Sequence, residues 1–356
     1  MNYNNILNIP PFSLSKEKKK KHLGKWMEDL TRFHYENCLE YKKILDSISF
    51  NASLEFNYDK TPFLPVRLFK MFDLYSVPKD AVYKTMTSSG TSGQEVSKIY
   101  LDKETSKNQT KVLTKIISNF IGTKRSPMLI IDSESVLKNR NMFSARGAGI
   151  LGFSIFGVDK FFALDKDMKL KKDELIGFLN KYKDRRIFIF GFTFMIYKYF
   201  IKELQADKIS LNLKKSVLIH GGGWKKLINQ SINSFEFKKK LNILCGINKI
   251  HDYYGMVEQT GSIYMECEYN YLHASNFSDI IIRNPIDFSI AKKGEIGIIQ
   301  TLSILPYSYP GHSLLTEDEG VLIGEDDCKC GKLGKYFKVL GRIQNAEIRG
   351  CSDTYG

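Results

Sequence analysis

Residues Thr87 to Gly93 read Thr-Ser-Ser-Gly-Thr-Ser-Gly, a concentration of hydroxyls and glycines in one short stretch. Hydroxyl groups and closely approaching backbone N–H groups are what phosphate oxygens need as donors, and glycine permits that approach. A surface turn has the same composition, so both readings stand at this point. A Walker A loop is excluded, because no Lys-Ser/Thr pair follows the last glycine. Further stretches combine glycine with a reactive side chain: His220-Gly221-Gly222-Gly223-Trp224-Lys225, Tyr253-Tyr254-Gly255-Met256-Val257-Glu258, Leu314 to Gly320 with Glu317 and Asp318, and Gly341-Arg342-Ile343-Gln344-Asn345. His220 sits at a strand end, where it either contacts a substrate carboxylate or phosphate or serves as a satisfied supporting histidine.

Thiols form a second group. Cys267, His273, Cys328 and Cys330 offer three thiolates and one imidazole, a set that satisfies tetrahedral zinc. Their spacing is not that of a standard finger, and two exposed thiols in a turn with a solvent-facing histidine is the alternative. Cys351 lies in Arg349-Gly350-Cys351-Ser352-Asp353, where the arginine favours the thiolate, the attacking form. An inert tail cysteine is the competing reading. Cys38 and Cys245 fall on helical or apolar stretches and read as packing residues.

The elements that must position these groups follow from periodicity. Residues 14 to 50 are helical, with Leu23, Trp26, Met27 and Leu30 as an apolar stripe, and Thr105 to Phe120 repeats the pattern. Buried strands at Met128–Ile131, Ile187–Phe190 and Ser216–Ile219 alternate with helices at 170–182, 194–204 and 226–241, and Lys249–Tyr254 leads into Gly255. That alternation predicts crossover units and a largely parallel sheet, with ligands beyond the carboxyl ends of its strands. Past residue 260, short apolar runs separated by turn residues predict a smaller β-rich part. The expected division is an N-terminal helical segment over 1–80, an α/β nucleotide-binding core over 81–260, a β-rich subdomain over 261–345 and a tail over 346–356.

The apolar content of 43% suits a packed globular chain. A net charge of +14 would suit nucleic acid, an anionic surface or an anionic substrate. The lysines are spread along the chain, and the densest run, Lys16 with Lys18 to Lys21, reads as a solvated helix face, so no nucleic-acid partner is expected. Met1 to Pro11 has no apolar core of a signal peptide, and no stretch approaches the ~18 apolar residues of a membrane span, so a cytoplasmic location is expected.

The five glycine-bearing stretches, in their order from residue 85 to residue 345, resemble the adenylate-forming superfamily of acyl- and aryl-CoA ligases, adenylation domains and luciferases. Thr85 to Gln94, Phe143 to Gly149, His220 to Lys225, Tyr254 to Gly261 and Arg349 to Thr354 resemble, more narrowly, the acyl-protein synthetases of bacterial luminescence; the phenylacetate-CoA ligase group is next nearest. The resemblance implies an α/β fold, the large N-terminal domain of adenylate-forming enzymes: parallel sheets flanked by helices plus a smaller β-rich subdomain. It also implies site residues. Thr87, Ser88, Ser89, Gly90, Thr91 and Gly93, with Lys98, would hold the phosphates of ATP. Gly221, Gly222 and Gly223 would line the adenine, and Tyr254, followed by Gly255, would stack on it. Glu258 would hold Mg²⁺, a hard ion that prefers oxygen ligands. Asp318 would accept from the ribose hydroxyls, and Arg342 would contact ribose or phosphate. Cys267, His273, Cys328 and Cys330 match a position where some phenylacetate-CoA ligase relatives carry structural zinc.

The departures are specific. Val257 replaces a usual threonine, Glu317 a usual glycine, and Asn345 stands at the usual hinge position. The chain ends at Gly356, so most of the small C-terminal domain with its lysine is expected to be absent; Lys225 and Lys98 are the candidates to replace that charge. The small residues of Phe143 to Gly149 border an acyl channel, with Arg146 near its mouth, or else pack a helix tightly. The expected activity is ATP-dependent conversion of a carboxylic acid, a fatty acid in this family, to acyl-AMP, with transfer to Cys351 and delivery to an acyl reductase or other acceptor protein. An acyl- or aryl-CoA ligase, or a nucleotide-binding partner without catalysis, are the alternatives.

Overall fold

The computed structural model describes residues 4–51, 55, 57–88, 95–137, 145–223 and 232–343. In chain order its strands are β1 (Leu64–Pro65), β2 (Lys84–Thr87), β3 (Lys98–Leu101), β4 (Ser126–Ser133), β5 (Gly157–Leu164), β6 (Phe188–Phe192), β7 (Val217–Gly221), β8 (Lys249–Tyr254), β9 (Tyr264–Glu266), β10 (Leu272–His273), β11 (Ser278–Arg283), β12 (Ile296–Ser303), β13 (Ser313–Glu325) and β14 (Lys335–Arg342). The chain divides into two compact units: the described residues of Met1–Ser88, Ser92–Phe120 and Tyr254–Glu347 form one, and those of Ile121–Tyr253 the other.

The second of these is the parallel α/β unit. β4 pairs with both β5 and β6, β6 with β7, and β7 with β8, every pair parallel. β4, β6 and β7 are buried along their whole length, which is why they read in the sequence as unbroken apolar runs. The register places Gly191 beside His220, Phe192 beside Gly221, and Gly221 beside Tyr253. The carboxyl ends of β6, β7 and β8 thus present these residues along one edge, the edge that binds ligands in such sheets. The helix after β6 runs as Thr193–Ile196, a π-helical turn at Tyr197–Ile201, and Lys202–Ala206. The helix before β8 is Ser234–Cys245; residues 226–231 of the expected helix lie outside the described residues. Its start is fixed by Asn233, whose side chain accepts from the Glu236 N–H at 2.9 Å.

The other unit is antiparallel. β11, β12, β13, β14, β10 and β9 lie side by side in that order, and β1 adds to β13 in parallel, Leu64 beside Leu314. A core of Tyr264, Leu272, Ala274, Ile280, Ile282, Ile299 and Phe337 fills one face, and Tyr254 packs against it. The helix Lys16–Asn37 buries Leu23, Trp26, Met27 and Leu30, the stripe seen in the sequence. Its Lys19 is buried too, held by Asp279 at 3.4 Å, and Lys335 reaches the same carboxylate at 3.2 Å. Cys38 breaks the helical stretch with extended dihedrals before a second helix over Leu39–Ser47. Among the described residues no helix is long and apolar enough to cross a membrane.

Candidate functional site

In the antiparallel unit, three of the expected ligand-binding residues meet. Asp318 on β13 lies directly opposite Arg342 on β14 in the register, with Nε of Arg342 3.7 Å from Oδ1. The hydroxyl of Tyr254 donates to Oδ2 at 2.7 Å. Burial pushes the Asp318 carboxyl up, and the Tyr254 hydroxyl and Arg342 oppose that shift. The Asp318 N–H is fixed by Oγ1 of Thr316 at 3.2 Å, so the carboxylate stands on an ordered backbone. The Tyr254 ring is edge-on to Phe337 at 6.3 Å, which sets its plane. This arrangement offers carboxylate oxygens and a guanidinium at one place, the pair a ribose phosphate needs.

Glu258 sits in a short 3₁₀ turn, Val257–Gln259, and is 4% exposed. Its carbonyl accepts from the hydroxyl of Tyr309 at 2.8 Å. A carboxylate on a turn fixed in this way is a hard oxygen donor of the kind Mg²⁺ takes, so the residue fits that ion. Gly255 is the exposed residue between Tyr254 and this turn.

The phosphate-loop candidates divide. Thr87 ends β2 and pairs with Lys98 on β3. Ser88 closes the neck of the hairpin: its N–H donates to Ser97 O at 3.1 Å, and its Oγ accepts from the Ser97 N–H at 2.9 Å. Ser89, Gly90, Thr91 and Gly93 lie outside the described residues, as do Lys225 and Cys351. Lys98 is exposed, and its Nζ lies 3.4 Å from Asp73.

In the parallel unit, His220 is 3% exposed on β7. Its Nδ1 lies 2.9 Å from Thr193 Oγ1 and 3.6 Å from Asp252 Oδ1. The Thr193 hydroxyl also donates to Gly221 O at 3.2 Å, so its oxygen accepts from Nδ1–H. That network assigns the proton to Nδ1 and leaves Nε2, which is buried without a partner, as a bare acceptor. Burial, with the nearby charge of Lys238, pushes the His220 pKa down to about 3, so the ring is neutral. Of the three glycines, Gly221 is the one its neighbours require: a Cβ there would lie 2.4 Å from the ring of Tyr253. Gly222 has φ +79°. Tyr253 was not singled out in the sequence; its doublet with Tyr254 is the signal that marks it.

Arg146 differs from expectation. It is 2% exposed and paired with Asp132 through Nε, 2.6 Å from Oδ2, and through Nη2. Burial pushes the Asp132 carboxyl up, and Arg146 opposes the shift. The arginine closes a buried ion pair rather than marking a channel mouth. Gly149 on the same helix packs 3.1 Å, at its Cβ position, from Phe192, as tight small-residue packing requires.

Cys267, His273, Cys328 and Cys330 come together with their ligand atoms all within 4.8 Å of one another. Cys330 Sγ lies 3.4 Å from His273 Nε2. Burial lowers the His273 pKa to about 4 and pushes the Cys330 thiol up to about 12. A neutral imidazole beside three thiols, two of them buried, is a donor set that fits zinc. Cys38 and Cys245 are buried, as packing residues.

The chain has the fold seen in adenylate-forming ligases. It is similar to an open conformation of 2-hydroxyisobutyryl-CoA ligase in complex with 2-HIB-AMP and CoA, with a TM-score of 0.73, 13% identity, and coverage of 96% of this chain and 79% of that one. The thioesterification-state structure of the same ligase gives a TM-score of 0.71 at 14% identity, covering 94% and 70%. The chain belongs to the acyl-protein synthetase family: the family described as "Acyl-protein synthetase, LuxE" matches residues 2–356, and the protein is a ligase. It is similar to the long-chain-fatty-acid–luciferin-component ligase of Aliivibrio fischeri, 23% identical over 98% of this chain and 91% of the relative. The Vibrio harveyi protein of the same name is 20% identical over 96% and 89%.

Proposed function

We propose that the protein activates a fatty carboxylic acid with ATP and passes the acyl group, through Cys351, to an acceptor protein such as an acyl reductase. The observation that carries this reading is the Tyr254, Asp318 and Arg342 constellation within a chain whose family match runs from end to end. In the first step a carboxylate oxygen attacks the α-phosphorus of ATP, pyrophosphate leaves, and acyl-AMP forms. In the second the Cys351 thiolate attacks the acyl carbon and AMP leaves.

The residues take these parts. Thr87 to Gly93 donate to the phosphates, and Lys98 leaves its surface pair with Asp73 to join them. Asp318 accepts from the ribose hydroxyls, with Arg342 beside it, and Tyr254 presents its ring to the base. Gly221, Gly222 and Gly223 keep the carboxyl end of β7 free of side chains. Glu258 would hold Mg²⁺, which neutralises phosphate charge as pyrophosphate departs. His220 offers an uncharged acceptor at Nε2, and Lys225 supplies positive charge. The Cys267, His273, Cys328 and Cys330 set would hold a structural zinc. Adenylate formation and thioester transfer with these groups require no membrane segment and no nucleic acid.

The test is incubation of the purified protein with ATP and a panel of radiolabelled acids, followed by gel electrophoresis. Pyrophosphate release and protein labelling with a long-chain acid, abolished in the labelling step by Cys351→Ser, is the expected result. No pyrophosphate with any acid would refute the enzyme reading. Label that persists in Cys351→Ser would refute only the acceptor assignment. Acyl-CoA formed on addition of CoA, with no labelled protein, would make the chain a CoA ligase.

A further inference from the structure

The turn that carries Glu258 is held from beneath by buried side chains that the proposed reaction does not use. Tyr309 is fully buried and edge-on to Phe69, with ring centroids 6.1 Å apart. Its hydroxyl donates to the carbonyl of Glu258 at 2.8 Å and accepts from Nε2 of Gln109 at 3.4 Å. The next residue, Gln259, is 1% exposed, and its Nε2 donates to Gly311 O at 2.8 Å and to Thr301 O at 3.3 Å. Two consecutive residues of the turn are therefore pinned to the segment that joins β12 to β13. The approach is close enough to need glycine: a Cβ on Gly311 would lie 2.3 Å from the Tyr309 ring and 2.9 Å from the Glu258 carbonyl. On the other flank, Gly261 at φ +91° would place a Cβ 2.6 Å from the carbonyl of Gln109.

A three-residue 3₁₀ turn has little internal hydrogen bonding to fix its peptide planes. Here the plane that follows the Glu258 Cα is fixed by a phenol on a rigid ring, and the Glu258 carboxylate stands on that same Cα. We infer that Tyr309 is a positioning residue: by holding the Glu258 carbonyl it aims the Glu258 carboxylate at the divalent cation that accompanies ATP. The inference rests on the reading of Glu258 as the residue that holds that cation.

The test uses the full chain and Mn²⁺·ATP as the probe, with binding followed by the electron paramagnetic resonance of Mn²⁺ and ATP binding measured separately in EDTA. Tyr309→Phe keeps the ring and removes the hydroxyl. It is expected to weaken Mn²⁺·ATP binding about 10-fold, the size of effect seen when an outer partner of a metal ligand is lost, with metal-free ATP binding unchanged. Glu258→Gln is expected to weaken it at least as much. If Glu258→Gln weakens Mn²⁺·ATP binding and Tyr309→Phe does not, the positioning role is wrong and the reading of Glu258 stands. If neither does, the reading of Glu258 itself fails, and the positioning role with it. An equal loss with and without metal in Tyr309→Phe would mean general loosening of the fold and would also overturn the inference. Should Tyr309→Phe fail to fold, replacing Tyr309 with 4-fluorophenylalanine, which fills the place of the hydroxyl but cannot donate, decides between the same outcomes.

Discussion

Arg146 and Asp132 provide the sharpest test of what the parallel unit is made to do. Their side chains are 2% and 1% exposed, and two N–H groups of the guanidinium engage both carboxylate oxygens. Arg146→Met deletes the cation and leaves Asp132 in a site where burial already raises its pKa. Breaking such a pair on one side costs about 3–5 kcal/mol. Without the guanidinium, burial acts on Asp132 opposed only by the Ser133 N–H, so its folded-state pKa lies above the unfolded value near ~4. The folded pKa being raised, the sign is fixed: the penalty is smallest in acid, where Asp132 is protonated in both states. It grows as pH rises through the unfolded value near ~4 and levels off only once the raised folded pKa is passed. Urea unfolding of Arg146→Met at pH 5 and pH 7 measures this directly. The double variant Asp132→Asn/Arg146→Met removes both charges, while the amide oxygen still accepts from the Ser133 N–H, and its stability is expected to return to within about 1 kcal/mol of the parent. Pyrophosphate release should return with it. A penalty under about 1 kcal/mol for Arg146→Met, or one that does not change with pH, would refute the buried-pair argument. A fully stable double variant without activity would place Arg146 back among the substrate contacts.

Further expectations concern the other groups. Protein purified without chelator should carry about one zinc per chain, and Cys330→Ser should lower that content; equal zinc in both, by mass spectrometry, counts against the tetrad. Asp318→Asn should raise the KM for ATP by about 10-fold or more, since hydrogen bonds to a charged acceptor are worth ~1.5–3 kcal/mol; an unchanged KM removes Asp318 from the ribose. His34 and His220 are both buried with pKa values lowered to about 3. Each is neutral when folded and takes up a proton on unfolding below ~6.5, so stability is complete above that pH and falls by about 1.4 kcal/mol per unit per histidine toward acid. His34→Asn should remove one proton's worth of that slope between pH 6 and pH 5, and an unaltered slope would show that His34 is protonated in the folded state.

What the sequence made legible follows from burial. β4, β6 and β7 announce themselves because they are buried along their whole length and carry apolar runs, Met128–Ile131, Phe188–Phe190 and Val217–Ile219. β5, Gly-Val-Asp-Lys-Phe-Phe-Ala-Leu, did not, since an edge strand with half its residues accessible has neither an unbroken apolar run nor clean alternation. The ordered approach of Asp318 to Arg342 could be anticipated from motif order, but its cause, a β13–β14 register, is a long-range pairing that local periodicity does not carry. Arg146 was misplaced for a related reason: its partner Asp132 lies on β4, fourteen residues earlier in the chain, and a lone arginine among small residues gives no hint of a buried carboxylate. Asn233 and Glu236, by contrast, spell a helix start, a capping side chain three residues before a glutamate, that the sequence does display.

The β13–β14 hairpin has a further consequence. Its turn carries Cys328 and Cys330, which meet Cys267 and His273 from the neighbouring β9–β10 pair. From that tip the ladder runs from Glu325 beside Lys335 to Asp318 beside Arg342, passing two register shifts on the way. Side chains alternate between the faces of a strand, so a slip of a single residue would turn Asp318 away from Tyr254 and Arg342. The cysteine cluster is thus the zero mark of a ruler: a metal held there, as proposed, would fix the count of residues along both strands and, from the opposite end of the hairpin, the face on which Asp318 stands.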